Sequence, residues 1–247
     1  MIPIKDYNPT RTKPIVTLAL IFACVVAYFG FQQQGDQNEF TYRRAAVPCE
    51  VVTGQPMTIE EIDTGDCTRQ DTEDPLFPSK SVIAALFTSM FLHGGLLHLG
   101  GNMLYLWVFG NNIEDTKGKP VYLLFYVAAG VVATLAHVAL DPGSTIPLVG
   151  ASGAIAGVMG AYLVLFPKVQ IRTFIMFFLI LFRDIQARWL LGFWFVSQFF
   201  IGQDSGVAWA AHVGGFVFGV LVGLVWRARG AGRNSDRIRY ANEPPYA

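Results

Sequence analysis

The sequence predicts an all-α membrane protein built as a bundle of six transmembrane helices. Of its 247 residues, 53% are hydrophobic and only 15% are charged, whereas soluble domains carry about 25% charged residues. Six apolar stretches approach the length of about 20 residues that a helix needs to cross a hydrocarbon core of ~30 Å. They lie at residues 15–31, 86–110, 120–140, 148–166, 186–202 and 207–226. Lipid is therefore the predicted solvent for most of the chain.

The first apolar stretch, residues 15–31, could also be a secretory signal peptide, because Lys5, Arg11 and Lys13 precede it. Its length of roughly 17 residues exceeds the about 7–15 apolar residues of a signal peptide, and no small-x-small cleavage site follows. We therefore expect a retained first span.

A further apolar segment, residues 171–182, contains Arg172 and is followed by Arg183. The run of about 12 residues that these charges bound is too short for a span. We expect an interfacial hairpin that leads into the fifth span; the alternative is part of a seventh span.

The positions of Lys and Arg orient the predicted spans, because cytoplasmic loops of membrane proteins are enriched in both. Basic residues mark the two tails, residues 1–14 and 227–247, so both tails are expected in the cytoplasm of a cell-membrane protein. The C-terminal tail is also expected to contact anionic lipid headgroups. Lys plus Arg and Asp plus Glu balance at 18 each, so no overall basic charge suggests a nucleic-acid partner.

A polar segment between the first two spans, residues 32–80, is predicted to form a large extracytoplasmic loop or small subdomain. It contains ten acidic residues and four prolines. Cys49 and Cys67 lie in this loop, whereas Cys24 lies in the first span. Because thiols oxidise readily outside a cell membrane, we expect a Cys49–Cys67 disulfide, with two free surface thiols as the alternative.

Polar side chains within the spans are candidate functional groups, because a bilayer makes them expensive. The candidates are His93, His98, Asn102, His137, Ser152 and His212. Ser152 lies in the first turns of the fourth span, and His212 lies roughly 8–9 Å into the sixth at 1.5 Å per residue. His98 and Asn102 fall in the outer half of the second span and share one helix face. Three helices thus bring polar groups to a similar depth, toward the extracytoplasmic side.

Small residues recur at helical spacing beside the polar groups of the fourth and sixth spans. Gly153 and Gly157 are four residues apart, and Gly215 and Gly219 follow His212 at three and seven residues. Small residues at this spacing let helix backbones approach closely in lipid. The helix-packing faces are therefore expected to carry or border the reactive side chains.

These residue types indicate nucleophilic catalysis that needs neither a cofactor nor a metal. A serine hydroxyl is a weak nucleophile until a base takes its proton, and a neutral imidazole suits that role near pH 7. No acid is positioned to orient His212, so a dyad with Ser152 is predicted. Donors for an oxyanion are available from the Asn102 amide, the His98 imidazole and the Ser152 backbone N–H.

At these residues the chain resembles the rhomboid family of intramembrane serine proteases. The resemblance rests on His98-Leu-Gly-Gly-Asn102 in the second span, Gly150-Ala-Ser152-Gly153 in the fourth, and Ala211-His212-Val-Gly-Gly215-Phe-Val-Phe-Gly219 in the sixth. It covers about residues 15–226, and its specificity comes from three motifs in order on the appropriate spans.

The resemblance implies a six-span protease domain of the bacterial type over residues 15–226. It implies Ser152 as the nucleophile, His212 as the general base, and His98 and Asn102 in the oxyanion site. The expected activity is that of a serine endopeptidase that cleaves transmembrane segments of membrane proteins in the bilayer.

Two other histidines have a different interpretation. His93 and His137 are expected to be hydrogen-bonded structural residues near the outer rim. A metal site is not expected, because His93 and His98 are five residues apart and would face different sides of one helix.

Two other functions are possible for such a chain. A non-catalytic membrane scaffold or quality-control protein could bind transmembrane helices with the same fold, although loss of the serine or histidine would be its mark. A transporter would show inverted repeats or discontinuous helices, and the sequence contains no visible repeat.

Overall fold

The fold is mostly helical, as the apolar stretches predict, and the computed structural model describes residues 1–68, 74–176, 180–201 and 206–231. Within these ranges three helices are long and apolar enough to cross a membrane, and a bent helix pair adds a fourth candidate. The chain is therefore a multi-pass membrane protein. The helices are α1 (Ile15–Val26), α2 (Gln37–Arg44), α3 (Pro48–Thr53), α4 (Ile59–Thr64), α5 (Val82–Thr88), α6 (Leu96–Lys117), α7 (Lys119–Leu140), α8 (Ser152–Leu165), α9 (Ala187–Gln198) and α10 (Trp209–Ala228).

Parts of four predicted segments lie outside the described residues. They are residues 69–73 of the polar loop, residues 177–179 of the predicted hairpin, residues 202–205 before α10, and residues 232–247 of the C-terminal tail.

Helix α1 begins where a carboxylate meets its first backbone N–H groups. Glu114, near the end of α6, accepts hydrogen bonds from Val16 N at 2.9 Å and from Thr17 N and Oγ1, both at 2.8 Å. The first N–H groups of a helix have no partner within the helix, and its N-terminal end favours negative charge. The neighbouring Asp115 binds Thr12 in the same way. Glu114 thus binds the start of α1 and Asp115 the segment just before it, and α1 continues into a π-helical turn at Ala27–Gln32.

The second predicted span, residues 86–110, is broken, so its prediction as one continuous helix was wrong. Helix α5 and a 3₁₀ turn (Ser89–Phe91) end at the sequence His93-Gly94-Gly95, and α6 starts beyond them at an angle of 82°. Gly95, the residue before α6, has an extended backbone (φ 161°, ψ 169°), which interrupts the helix at that point. His93 therefore lies before α6 and not on it.

The fourth predicted span, residues 148–166, is shorter than expected, because α8 begins only at Ser152. The preceding residues are not helical. Leu148 donates its backbone N–H to Ala46 O at 2.8 Å, and Gly150 has a φ of +124°, a region that side chains with a Cβ rarely adopt. Ser152 is therefore the first residue of α8, at the N-terminal end of that helix.

Helices α8 and α10 pack backbone against backbone. A Cβ at Gly215 or Gly219 would collide with the carbonyl oxygen of Gly153 or Gly157, respectively. On its other side α8 meets α7, where a Cβ at Gly153 would lie 2.6 Å from Ala133 Cβ. The small residues therefore let three helices approach more closely than larger side chains would permit.

A three-stranded antiparallel sheet corrects the all-α prediction. Strand β1 (Ile2–Asp6) pairs with β2 (Gln170–Met176), which pairs with β3 (Ile180–Gln186). Buried Ile171 and Thr173 alternate with exposed Arg172, and such alternation with β-branched residues is typical of a strand. The predicted hairpin is thus a β-hairpin; the connection at 177–179 lies outside the described residues.

The sheet ties the N-terminal segment to the helices at the end of the molecule opposite Ser152. Asp6, at the end of β1, accepts hydrogen bonds from Asn112 Nδ2 at 2.6 Å and from the Tyr162 hydroxyl at 2.7 Å. Residues 1–14, expected to be a tail, therefore take part in the folded core.

The polar segment before α5 folds around its own small core. Cys49 and Cys67 are joined in a disulfide, and the buried side chains of Lys80 and Glu50 form an ion pair. Burial raises the pKa of Glu50 and lowers that of Lys80, and the attraction between the two charges opposes both shifts. Cys49 N also donates to Ser144 O at 3.0 Å, so this segment contacts the loop that leads to Ser152.

We predict that Gly219→Ala destabilises the protein by about 1–3 kcal/mol, the usual effect of overpacking. The new Cβ would collide with backbone atoms of Gly157, so the helices α8 and α10 must separate. The measurement is the Tm in detergent. Gly192→Ala in α9 is the matched control, because no atom lies within 4 Å of its added Cβ. Equal Tm values for the two variants would contradict the backbone contact.

Candidate active site

The Ser152 and His212 side chains meet between α8 and α10. The Ser152 hydroxyl lies 2.9 Å from His212 Nε2, within hydrogen-bonding distance. Ser152 is the first residue of α8 and His212 is the fourth of α10, so both extend from the same ends of two closely packed helices. A hydroxyl that donates to an unprotonated imidazole nitrogen is the arrangement that general-base activation of a nucleophile requires.

Asn102 supplies a hydrogen-bond donor that nothing in the described part of the chain uses. Its side chain is 8% exposed, and its buried Nδ2 has no hydrogen-bond partner among those residues. Leaving a buried donor unpaired costs about 1–3 kcal/mol. Asn102 lines one cavity together with Ser152 and His212, so its free donor is available to an oxygen atom bound there.

His98 is held in an orientation that offers a second donor. Its Nδ1 accepts a hydrogen bond from Gly94 N at 3.3 Å, so in the neutral ring the proton resides on Nε2. The ring lies against Gly150, where an added Cβ would be 2.9 Å from His98 Nε2 and 3.5 Å from Ser152 Oγ. The N–H of Ser152 belongs to the first turn of α8 and has no acceptor within that helix. Three donors thus surround the region beside the hydroxyl.

Ser152 lines two sizeable cavities and a third of only about 30 Å³. One of about 620 Å³ extends from His98, Ser152 and His212 to His137 and the loop at 141–149. The second sizeable cavity, of about 280 Å³, is bordered by α6, α8 and Trp194 of α9 and is lined mainly by apolar side chains. The hydroxyl is therefore accessible both from the polar loop and from the space between the helices.

Gln198 and Trp194, which sequence reasoning did not identify, contact the second nitrogen and the ring of His212. Gln198 Oε1 lies 2.8 Å from His212 Nδ1, and the Trp194 and His212 ring centroids are 5.8 Å apart. The signal was present, because Gln198 is an amide within the predicted span 186–202. The rule that identified the histidines as candidate functional groups applies equally to this side chain.

The expectations for His93 and His137 need two corrections. The His93 and His98 rings are 5.3 Å apart, so the argument that they face different sides was wrong; the helix break at Gly94 brings them together. His93 fits the expected structural role, because its ring Nδ1 lies 3.2 Å from the Phe91 carbonyl oxygen. His137 lines the larger cavity, but its buried Nδ1 lacks the expected hydrogen bond within the described residues.

A cluster of potential metal ligands among the described residues is formed by Cys49, Glu61 and Cys67. The two sulfur atoms are bonded to each other and are therefore not available as thiolates, the form that binds metal.

Comparison with known proteins places this site within one domain family. The family model described as "Rhomboid domain" matches residues 80–229, which include every side chain of the site. Rhomboid protease GluP from Bacillus subtilis is 42% identical over 78 residues, or 32% of this chain and 15% of that protein.

Two mitochondrial proteins are also similar. Rhomboid protein 1, mitochondrial, from Saccharomyces cerevisiae is 29% identical over 148 residues, or 56% of this chain and 40% of that protein. Presenilin-associated rhomboid-like protein, mitochondrial, from Homo sapiens is 28% identical over 166 residues, or 61% of this chain and 41% of that protein. The matched part of the chain corresponds to less than half the length of each of these three relatives.

We predict that Gly150→Ala slows the reaction of Ser152 with a fluorophosphonate by about 10²–10³, the usual effect of losing an oxyanion donor. The Cβ would displace the His98 ring and strain a backbone at positive φ. The rate of covalent labelling, followed by intact-protein mass spectrometry, measures the effect. Gly143→Ala in the same loop is the control, since its Cβ meets no atom within 4 Å. Matching rates for the two variants would argue against the role of Gly150.

Proposed function

Because this chain belongs to the rhomboid family, we propose that it is an intramembrane serine endopeptidase that cleaves transmembrane segments of other membrane proteins. The observation that carries this proposal is the 2.9 Å contact between Ser152 Oγ and His212 Nε2. The unpaired amide of Asn102 beside it supports the same conclusion.

In the proposed mechanism, the Ser152 hydroxyl attacks the carbonyl carbon of the scissile peptide while His212 Nε2 takes its proton. The negative charge that develops on the carbonyl oxygen is stabilised by donors at Asn102 Nδ2, His98 Nε2 and Ser152 N. His212 then gives the proton to the leaving amine, and an acyl-enzyme remains on Ser152. Water activated by the same imidazole hydrolyses this ester and restores the hydroxyl.

The two cavities suggest separate routes for the two reactants. The larger one reaches Asp141 and Ser144 at the polar loop, and we assign the hydrolytic water to it. The apolar cavity bordered by α6, α8 and Trp194 of α9 suits a segment that arrives from the lipid. In this assignment Ser152 acts where the two routes meet.

We further propose six membrane spans with both termini in the cytoplasm of a cell membrane. Residues 32–80 then form the extracytoplasmic loop, residues 15–226 the protease domain, and residues 227–247 a basic cytoplasmic tail. The Lys and Arg distribution supports this topology. In this topology the N-terminal end of α8, and with it the active site, lies toward the extracytoplasmic side.

The substrates in this proposal are single-span segments that unwind easily near their outer end. A peptide carbonyl in an intact transmembrane helix is hydrogen-bonded and shielded from a nucleophile. Glycine or proline in the substrate lowers the cost of opening that helix. The glycine-rich surroundings of Ser152 favour a small residue, such as alanine, before the cleaved bond.

Ser152→Ala and His212→Ala are each expected to abolish cleavage of such a substrate, and the double variant should be no worse than either. Residues that act as one catalytic unit show strongly non-additive effects. The rate is measured with purified protein in proteoliposomes, together with the Tm of every variant. Asn102→Ala should be milder, with a loss of about 10²–10³.

Comparison of the folded wild-type protein with these variants separates the enzyme from the alternatives. A membrane scaffold would bind the transmembrane segment without cleaving it, and a transporter would neither bind nor cleave it. A folded Ser152→Ala protein that still cleaves at the wild-type rate would refute the proposed mechanism.

A further inference from the structure

We propose that Gln198 is a positioning residue that holds His212 in the tautomer with its proton on Nδ1, which leaves Nε2 free to accept the proton of Ser152. This inference rests on the proposed function for its catalytic consequence. The tautomer itself follows from the hydrogen bonds around one buried amide.

The orientation of the Gln198 amide is fixed by two acceptors on its own helix. Its Nε2 donates to the Trp194 carbonyl oxygen at 2.9 Å and to Ser197 Oγ at 3.3 Å. Ser197 uses its own proton to donate to the same carbonyl at 2.6 Å, so its oxygen is free to accept. The NH₂ group is thereby directed into the last turn of α9.

With the NH₂ group so directed, the amide oxygen faces His212. Gln198 Oε1 lies 2.8 Å from His212 Nδ1, and an amide oxygen can only accept a hydrogen bond. Nδ1 must therefore carry the proton. In a neutral imidazole the other nitrogen is then an acceptor, and that nitrogen lies 2.9 Å from Ser152 Oγ.

Burial makes this arrangement specific. Gln198 is 4% exposed, so water does not compete effectively for the amide. A reversed amide would direct its NH₂ group at His212 Nδ1, and that nitrogen would then have to be the acceptor of the ring. The Trp194 ring lies beside the imidazole and limits its movement. Both Trp194 and Gln198 come from α9, so one helix controls both the position and the tautomer of the base.

A neutral amide suits this location better than a carboxylate. An unpaired charge at membrane depth is costly. The carboxylates Glu114 and Asp115 accept hydrogen bonds from Thr17 and Thr12, in and just before α1, and do not contact His212. Gln198 orients the base without bringing a charge into the helix bundle. The dyad predicted from the sequence therefore acts with a third, uncharged member.

The direct test is nitrogen NMR of the protein in detergent with ¹⁵N-labelled histidine rings. The chain contains four histidines, and the His212 signals are assigned by their loss in His212→Gln. In the wild-type protein we expect a protonated Nδ1 and an unprotonated Nε2. In Gln198→Met, which keeps the side-chain length and removes the amide, we expect a mixture of tautomers.

Kinetics supply the second measurement. Gln198→Met should lower kcat by about 10- to 100-fold with little change in KM, a smaller loss than the ~10²–10⁴ supplied by a general base. Gln198→Glu should recover most of that loss, because its protonated carboxyl group keeps a C=O acceptor for Nδ1 and an O–H donor for the Trp194 carbonyl oxygen. Gln32→Met is the matched control: Gln32 is also buried and donates to His93 O at 2.7 Å, so its loss should lower the Tm and leave the His212 tautomer unchanged.

The outcomes separate the two proposals. If His212 of the wild-type protein carries its proton on Nε2, the proposed role of Gln198 is wrong. This NMR measurement does not depend on the folding of any variant. Unchanged kcat and tautomer in a folded Gln198→Met protein overturn it as well. If the wild-type protein shows the Nδ1 proton but cleaves nothing, the tautomer assignment stands and the proposed proteolysis fails.

Discussion

The close contact between the backbones of α8 and α10 is the constraint on which the site depends. A serine hydroxyl and an imidazole have short reach, so helices separated by ordinary side chains could not bring them to 2.9 Å. Gly153 and Gly157 on one helix and Gly215 and Gly219 on the other remove that separation. The same contact fixes the depth of both reactive groups, because each lies near the start of its helix. Packing and chemistry therefore share one set of residues, and a substitution there disturbs both.

The cost of burying polar groups explains how the rest of the molecule is arranged around this contact. Glu114 is matched to the unpaired N–H groups of α1, and Asp6 accepts from Asn112 and Tyr162. Such matching is expected wherever polar atoms leave water. The Nδ2 of Asn102 is one of several buried polar atoms without a hydrogen-bond partner among the described residues. It differs from most of them in its position, because Asn102 shares a cavity with Ser152 and His212, where its donor is available to an oxygen atom of a ligand.

Features set by residues close together in the sequence were predicted, and features set by contacts between distant residues were missed. Apolar length and the spacing of small residues located α7, α8 and α10, because both reflect local helix geometry and the demands of lipid. The break before α6 was missed because apolar length alone does not reveal the extended backbone at Gly95. The sheet was missed because β1 and β2 are separated by most of the chain, and the alternation in β2 was masked by its overall apolarity. Gln198 was missed because only the packing of α9 against α10 reveals its contact with His212.

A structure of the protein after reaction with a fluorophosphonate would test whether Ser152 is the nucleophile and whether the three donors surround its oxyanion. We predict one covalent bond, at Ser152 Oγ, with the phosphoryl oxygen within hydrogen-bonding distance of Asn102 Nδ2, His98 Nε2 and Ser152 N. We also predict that α8 and α10 stay in contact through their glycines in the adduct. An adduct on another side chain, or a phosphoryl oxygen directed away from all three donors, would contradict the proposed site.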